Sequence, residues 1–222
     1  MRRVKVNRPD AEWYEIAEAD KLVRSTPKSS RALIGLAVYA GLRQGEILAL
    51  RWTDIDWATN RIHVRRNLQS RYKLKKLGIA DPFGLPKTES SRRAVPIRPV
   101  LRELLERHKQ TSPPNQLDLL FANAAGQPVD VRNLVTRVYK PAAQRAGLRE
   151  IRFHDLRHTF VTYCAGAGVP LAKVADWVGH SDSRITEIYR HASADSEEFA
   201  LATLEAFDAK RRWPPTVMAI RT

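Results

Sequence analysis

The segment GLRQGEILALRW places an arginine where two apolar stretches meet. Arg43 lies there between Gly41 and Gly45, so its side chain is expected to be semi-buried. A guanidinium group in such a position needs an anion or a carboxylate as partner, because an unpaired buried charge is costly. Glu46, one helical turn later, can orient it. The residues alone leave open whether Arg43 binds an external anion or forms only an internal ion pair with Glu46.

The segment HDLRHTF concentrates cationic side chains at the start of a predicted helix. His154 precedes that helix, and Asp155 is expected to help cap it. Arg157 and His158 lie one turn further on. Two imidazoles and a guanidinium group at a helix N-terminus suit an oxyanion such as phosphate. For His158 a packed, hydrogen-bonded core position is the alternative.

The same segment also resembles the zinc-metalloprotease pattern His-Glu-x-x-His, in which two histidines hold the metal. Three observations argue against a zinc hydrolase built on His154 and His158. Aspartate is a shorter base than glutamate, Arg157 would repel the cation, and such a site gives no reason for the net charge of +14. The zinc hydrolase therefore stays a distant alternative.

The segment VGHSDSRITEIYRH carries a tyrosine late on a predicted helix. Gly179 ends the preceding helix, and the Ser/Asp cluster after His180 can cap the next one. The hydroxyl group of Tyr189 is a poor nucleophile at neutral pH, because a tyrosine pKa is about 10. It becomes useful if cations stabilise the attacking oxygen and a phosphorane-like transition state. Taken alone, Tyr189 is typical of a packing residue.

The segment KTESSRRAVP follows a long connection marked by glycines and prolines. Lys87, directly after Pro86, can point into a groove as a phosphate contact or a proton donor. A single surface lysine carries almost no information by itself.

These segments require helices and one small sheet to position them. The alternation in residues 61–66 and 92–97 predicts two strands of an antiparallel hairpin with a long, basic connection. The remaining patterns predict helices, so the fold class is mainly α with a small antiparallel β-sheet (α+β). The predicted helices cover about 10–24, 32–40, 45–51, 99–110, 130–146, 155–167, 170–178, 182–190 and 195–209.

The charge of the chain points to a polyanionic partner. The 222 residues include 38 Lys and Arg against 24 Asp and Glu. Nucleic acid is the first candidate partner. An anionic membrane surface is the second, but no basic amphipathic helix stands apart from the predicted fold.

Cysteine content and hydropathy indicate a cytoplasmic protein. Cys164 is the single cysteine, which excludes an intrachain disulfide and a cysteine-based zinc site. No apolar run approaches the roughly 20 residues that a membrane span needs. The basic N-terminus has no apolar stretch behind it, so it is not a signal peptide.

In order and spacing, the four segments resemble the catalytic domain of tyrosine recombinases, the family of phage integrases and bacterial chromosome-resolving recombinases. The resemblance covers about residues 10–207, and the His-Asp-Leu-Arg-His and Gly-His…Tyr boxes are its most specific parts. It rests on GLRQGEILALRWTDID, PKTESSRRAVPI, HDLRHTFVT and VGHSDSRITEIYRH.

The resemblance implies which groups bind the scissile phosphate of DNA. Arg43 and Arg157 resemble the two arginines that hold its non-bridging oxygens. His180 resembles the histidine that hydrogen-bonds the phosphate. Glu46 matches a supporting acidic position near the first arginine.

It also implies the catalytic steps. Tyr189 resembles the nucleophile, His154 the histidine that assists proton transfer at the tyrosine, and Lys87 the hairpin lysine that protonates the departing 5′ oxygen. The expected products are a 3′-phosphotyrosine and a free 5′-hydroxyl, followed by strand exchange and religation. No metal, cofactor or ATP is expected. A catalytically silent DNA-binding domain is the alternative.

Further basic residues are expected to grip the backbone of double-stranded DNA. They are Lys73, Lys75 and Lys76 in the hairpin connection and Arg92 and Arg93 at its second strand. The three lysines also compete with the hairpin lysine for the catalytic role. By resemblance, the active assembly is a homotetramer on two DNA duplexes, associated with bacterial or phage DNA.

The domain plan departs from the family in one respect. Residues 1–9 resemble an interdomain linker or arm, and the N-terminal core-binding domain of the family is expected to be absent. Residues 10–207 form the catalytic domain, and 208–222 a C-terminal tail. An apolar stripe before the tail packs either in cis or on a neighbouring protomer.

Overall fold

A computed structural model of the chain describes residues 12–69, 82–84 and 92–179. The predicted arm, the C-terminal tail and the predicted helices at 182–190 and 195–209 lie outside these residues. The described helices are α1 (Ile16–Ser25), α2 (Arg31–Ala40), α3 (Gln44–Ile47), α4 (Pro99–Thr111), α5 (Val131–Asn133), α6 (Lys140–Arg145), α7 (Asp155–Gly166) and α8 (Leu171–Val178). The described strands are β1 (Ile55–Asp56), β2 (Arg61–Val64), β3 (Asn67–Leu68), β4 (Phe83–Gly84) and β5 (Arg93–Pro96).

The first helix is shorter than predicted. Glu15 and Glu18 form a reciprocal capping box that starts α1 at Ile16, well after position 10. The helix turns Ala19 and Leu22 into the core but leaves Ile16 40% exposed. Ile16 therefore does not belong to the buried face of α1.

Helix α2 forms the centre of the core. Every residue from Ala32 to Ala40 is buried, and the helix packs against α1, α4 and α7. It ends at Gly41, as predicted, in the left-handed conformation with φ of 61°. A Cβ atom at Gly41 would lie 2.5 Å from Cδ1 of Phe160, so the turn into α3 needs a glycine for two reasons.

The predicted hairpin is confirmed. β2 and β5 pair antiparallel, with Ile62 opposite Val95, and β1 adds a third strand at the other edge of β2. β2 ends at Val64, two residues before the predicted end. β1 has only two residues and was not predicted. A separate two-stranded ladder joins β3 and β4.

The helix predicted over 130–146 is interrupted. A π-helical turn at Leu134–Tyr139 separates α5 from α6. Pro141 follows two residues after the turn ends, and because it lacks an N–H group it cannot donate the α-helical hydrogen bond to the Arg137 carbonyl. The later helices agree with prediction to within a residue or two, and α8 packs on β5 as well as on α7. Among the described helices, none has the length and apolar character needed to cross a membrane.

Candidate active site

Arg157 lies on the first turn of α7, and only 2% of the residue is exposed. One terminal nitrogen donates to the carbonyl of Gly41 at 2.7 Å, and the other donates to the carbonyl of Val178. Arg157 thereby joins the C-terminal ends of α2 and α8. Burial lowers the pKa of Arg157, and the positive charge of nearby Arg43 lowers it further.

Arg43 is the residue before α3 and has extended backbone geometry. Its backbone N–H and one terminal nitrogen donate to the two carboxylate oxygens of Glu46, at 2.8 and 2.9 Å. The other terminal nitrogen donates to the carbonyl of Gly179 at 3.0 Å. The Arg43 side chain is still 34% exposed. The internal ion pair foreseen from the sequence therefore exists, and it leaves Arg43 accessible to a ligand.

Glu46 is buried and accepts hydrogen bonds from two arginines. Arg93 donates to Oε1 at 2.9 Å and to Oε2 at 2.8 Å, in addition to the two hydrogen bonds from Arg43. Burial alone would raise the pKa of Glu46, but the hydrogen bonds and charges of Arg93 and Arg43 outweigh it and lower that pKa to about 2. Glu46 is therefore ionised near neutral pH.

Arg93 was predicted to contact DNA, and the structure leaves little of its side chain accessible for such a contact. Its side chain is 5% exposed, and Nε donates to the carbonyl of Trp177 at 2.6 Å. A sequence signal for this placement exists, because Arg93 and fully buried Val95 lie two apart on β5 and therefore share a face. The neighbouring Arg92 is exposed.

His154 is the residue before α7, one turn ahead of Arg157. Partial desolvation lowers its pKa, as do the neighbouring His158 and Arg157, which favours a neutral ring that can accept a proton. The rings of His154 and His158 lie nearly perpendicular, with centroids 5.7 Å apart. A groove of about 580 Å³ opens beside His154, lined also by Gln44, Tyr139 and Arg152.

Asp155 does not cap α7 in the predicted way. Its fully buried carboxylate accepts three hydrogen bonds from Arg152, one from the backbone N–H and two from the guanidinium group. Asp155 is already the first residue of the helix, so its side chain turns back to the preceding loop. It fixes the chain just before His154.

The described residues end beside this cluster. The carbonyls of Val178 and Gly179 hold Arg157 and Arg43 respectively, and His180 is the next residue of the sequence. His180, Tyr189 and Lys87 lie outside the described residues, as do Lys73, Lys75 and Lys76. The structure thus brings together Arg43, Glu46, His154 and Arg157.

A second groove, of about 620 Å³, lies against the sheet. It is lined by His63, Val64, Arg65, Arg66, Arg92 and Arg93, although the Arg93 side chain is only 5% exposed. Arg66 and Arg65 contact the buried carboxylate of Asp54, at 2.5 and 3.7 Å, and Arg65 keeps 54% of its side chain exposed.

Comparison with known families decides the assignment: the model of the phage integrase family matches residues 11–196. The chain belongs to the phage integrase family. Its resemblance to tyrosine recombinase catalytic domains is thereby confirmed.

Two curated relatives of this phage integrase family member show the extent of the similarity. The tyrosine recombinase XerC-like protein of Caldanaerobacter subterraneus is 34% identical over 211 residues, which cover 84% of this chain and 52% of that protein. The prophage integrase IntR of Escherichia coli K12 is 30% identical over 230 residues, which cover 93% and 54%. The chain therefore spans about half the length of these relatives.

Solved structures confirm the expected fold class. The XerA recombinase matches with a TM-score of 0.66 at 20% identity, covering 92% of this chain and 67% of that one. The Tn1549 transposon integrase, solved in complex with circular intermediate DNA, matches with a TM-score of 0.72 at 19% identity, covering 92% and 69%.

The residues of the zinc alternative do not assemble a recognisable metal site. Among the described residues, no three His, Cys, Asp or Glu side chains are grouped so that they could hold a metal ion. The positive charge of Arg157 lowers the pKa of both His154 and His158 and would repel a metal cation there.

Proposed function

We propose that this chain is the catalytic part of a site-specific DNA recombinase in which Tyr189 attacks the scissile phosphodiester. The observation that carries the proposal is the convergence of two guanidinium groups on consecutive carbonyls. Arg43 binds the Gly179 carbonyl and Arg157 the Val178 carbonyl, immediately before the segment that contains His180 and Tyr189.

The reaction balances without an external energy source. The Tyr189 hydroxyl loses its proton with the assistance of His154, and the oxygen attacks phosphorus. The bond to the 5′ oxygen breaks, Lys87 donates a proton to that oxygen, and a 3′-phosphotyrosine and a free 5′-hydroxyl result. Attack by a 5′-hydroxyl of another strand reverses the step, so the phosphodiester energy is kept in the covalent link.

The cationic groups stabilise the pentacoordinate transition state. Arg43, Arg157 and His180 would hydrogen-bond the non-bridging oxygens, where negative charge increases. Each positioned donor of this kind is worth about 2–4 kcal/mol. These groups supply charge neutralisation from the protein itself, so the proposed chemistry needs no metal.

The DNA backbone would run along the basic surface of the sheet. The groove beside His63 carries the guanidinium groups of Arg65, Arg66 and Arg92, and the net charge of +14 favours a polyanion. Lys73, Lys75 and Lys76 belong to the same proposal. A tetramer on two DNA duplexes is the assembly that strand exchange would require.

Trapping of the covalent intermediate tests the proposal. The chain is incubated in EDTA with nicked, end-labelled duplexes whose core sequence is randomised, because a nick lets the cleaved end diffuse away and prevents religation. An SDS-resistant protein–DNA adduct is expected, and Tyr189→Phe should abolish it while Tyr163→Phe retains it. An adduct that persists in Tyr189→Phe would show that another residue is the nucleophile. An adduct that forms only without EDTA would show that cleavage depends on a metal ion, against the proposed metal-free step.

A catalytically silent DNA-binding domain predicts a different result. Duplex binding would then persist, with the salt dependence typical of phosphate contacts, while no adduct forms even when the chain is joined to the N-terminal half of a relative.

A further inference from the structure

Arg93 connects three parts of the site that are distant in sequence. It lies on β5, the strand that follows the predicted catalytic lysine. Its terminal nitrogens bind both carboxylate oxygens of Glu46 near α3, and its Nε binds the Trp177 carbonyl in the last turn of α8. A Cβ atom added at Gly179 would lie 3.1 Å from Cδ of Arg93, so the packing there is tight.

The charge balance of this cluster depends on Arg93. Glu46 carries one negative charge, and Arg43 carries one positive charge, so this pair alone would be neutral and the arginine would attract phosphate weakly. With Arg93 present, two guanidinium groups share one carboxylate and the cluster is net positive. Arg93 is the more buried of the two, at 5% side-chain exposure against 34%, so Arg43 is the member that a phosphate can reach.

The geometry of Arg43 depends on Arg93 as well. Bidentate binding by Arg93 occupies one side of the Glu46 carboxylate, so that carboxylate can meet Arg43 only through the remaining lone pairs. One terminal nitrogen of Arg43 then remains directed at the Gly179 carbonyl. Without Arg93, the Glu46 carboxylate would keep its hydrogen bonds from Arg43 but lose its second guanidinium partner, so it would attract the terminal nitrogen of Arg43 that now binds the Gly179 carbonyl.

We infer that Arg93 is a positioning residue, which offsets the charge of Glu46 and so keeps the cluster net positive and Arg43 correctly directed for the scissile phosphate. This inference rests on the proposed function. It assigns Arg93 an internal role in place of the DNA contact expected from the sequence.

A set of four variants tests the inference with the duplexes that the parent chain cleaves. Arg93→Met removes the charge and the hydrogen bonds, Arg93→Lys retains the charge, and Arg93→Met/Glu46→Gln removes both members of the buried pair. Arg107→Gln is the matched control, because it removes one positive charge from an exposed helix position 70% accessible to solvent.

We expect Arg93→Met to slow adduct formation about 10- to 100-fold, the size of effect that small displacements of catalytic groups produce. Duplex affinity should stay within about twofold, since the Arg93 side chain is only 5% exposed and its hydrogen bonds go to Glu46 and the Trp177 carbonyl. The double variant should recover about half of the lost rate on a logarithmic scale, because the carboxylate that would neutralise Arg43 is gone. Arg93→Lys should fall between Arg93→Met and the parent, and Arg107→Gln should match the parent.

The pH dependence provides a readout that loss of packing alone would not change. Glu46 faces Arg43, Arg93 and, through space, Arg157. Burial raises the pKa of Glu46, and the hydrogen bonds and charge of Arg93 lower it. In Arg93→Met this lowering is lost, so the pKa of Glu46 rises and its carboxyl group begins to protonate at mildly acidic pH. The rate of Arg93→Met relative to the parent should therefore increase as the pH falls, while the ratio for the double variant stays constant.

Two results would overturn the inference even if the parent forms adducts. One is a double variant that is slower than Arg93→Met alone, which would indicate a purely structural loss. The other is a rate ratio for Arg93→Met that does not change with pH.

Inorganic phosphate gives a test that does not depend on cleavage. Its binding is followed at the Nε–H resonance of Arg43, assigned by its loss in Arg43→Lys. Phosphate affinity should fall several-fold in Arg93→Met and return in the double variant. Unchanged phosphate affinity would overturn the inference, whereas a failure of the parent to form adducts, with the phosphate result as expected, would count against the proposed function alone.

Discussion

Arg43 and Arg157 have the same proposed role but opposite surroundings. Arg43 is one-third exposed and shares a carboxylate with a second arginine. Arg157 is almost completely buried, and its guanidinium group binds the carbonyls that end two helices. The two arginines are therefore positioned by different groups. Glu46 and Arg93 set the electrostatic surroundings and direction of Arg43, whereas backbone carbonyls set the position of Arg157.

Glu46, Arg43 and Arg93 form a carboxylate cluster. Removal of the Glu46 side chain should give the largest effect, a loss of folding stability, because Glu46 binds both arginines. Glu46→Ala leaves the buried guanidinium group of Arg93 without its bidentate carboxylate. Breaking a buried pair in this way costs about 3–5 kcal/mol in the free energy of unfolding, measured by urea denaturation. Glu103→Ala, which breaks the exposed pair with Arg107, should cost less than about 1 kcal/mol. Similar losses in both variants would show that the buried cluster contributes no more to stability than an exposed ion pair.

Arg157→Met should reduce activity strongly while changing the free energy of unfolding little. Adduct formation should fall about 10²- to 10³-fold, as expected for loss of one transition-state donor. The free energy of unfolding should change by less than about 2 kcal/mol, because the loss of two hydrogen bonds to carbonyls is opposed by relief of a buried charge. Parallel urea denaturation and adduct assays check this, and a stability loss as large as that of Glu46→Ala would contradict the distinction between the two arginines.

Acid should weaken the carboxylate cluster through Glu46. Its pKa is about 2 in the folded protein against 4.5 for a free side chain. Because the folded pKa is the lower one, ionised Glu46 contributes stability above pH 4.5, and this contribution is lost as the pH falls from 4.5 towards 2. The contribution is about 3 kcal/mol on the basis of the shift, and urea midpoints measured across that range should show it.

Glu46→Gln provides the reference for this pH series. It cannot titrate, so its unfolding free energy should fall less steeply with acid than that of the parent. Equal slopes would mean that other carboxylates account for the acid sensitivity.

Gly41→Ala should have the smallest of the four effects. It tests the turn whose carbonyl, that of Gly41, binds the guanidinium group of Arg157. The new methyl group would meet the Phe160 ring at a residue with φ of 61°, and the combined strain should cost about 2–3 kcal/mol. Gly147→Ala is the control, with nearly the same φ of 62° but nothing within 4 Å of the added atom, and should cost about 1 kcal/mol. Thermal melts compare the two, and equal losses would show that contact with Phe160 adds nothing.

Local sequence signals were sufficient for much of the fold. The apolar run that ends at Gly41 predicted α2, and alternation predicted the pairing of β2 with β5. The motif order also led to Arg43, Glu46, His154 and Arg157, which the structure brings together.

The remaining features depend on contacts between distant segments. The hydrogen bonds of Arg93 join residues 47 and 84 positions apart in the chain. The charge of Arg93 favours the surface, whereas its shared strand face with buried Val95 favours the interior. The inward turn of Asp155 depends on Arg152, and the two residues of β1 are too few to show periodicity.

The last turn of α8 has a consequence for how this site tolerates change. The groups that hold Arg43, Arg93 and Arg157 there are the main-chain oxygens of Gly179, Trp177 and Val178. Every amino acid supplies the same oxygen, and the negative end of a helix dipole favours cations whatever side chains the helix carries. The cationic centre is thus anchored in a way that leaves the solvent-facing side chains of α8 open to exchange, whereas buried Val174 and Val178 and the left-handed position at Gly179 stay constrained. One catalytic geometry can therefore persist while the exposed sequence around it diverges.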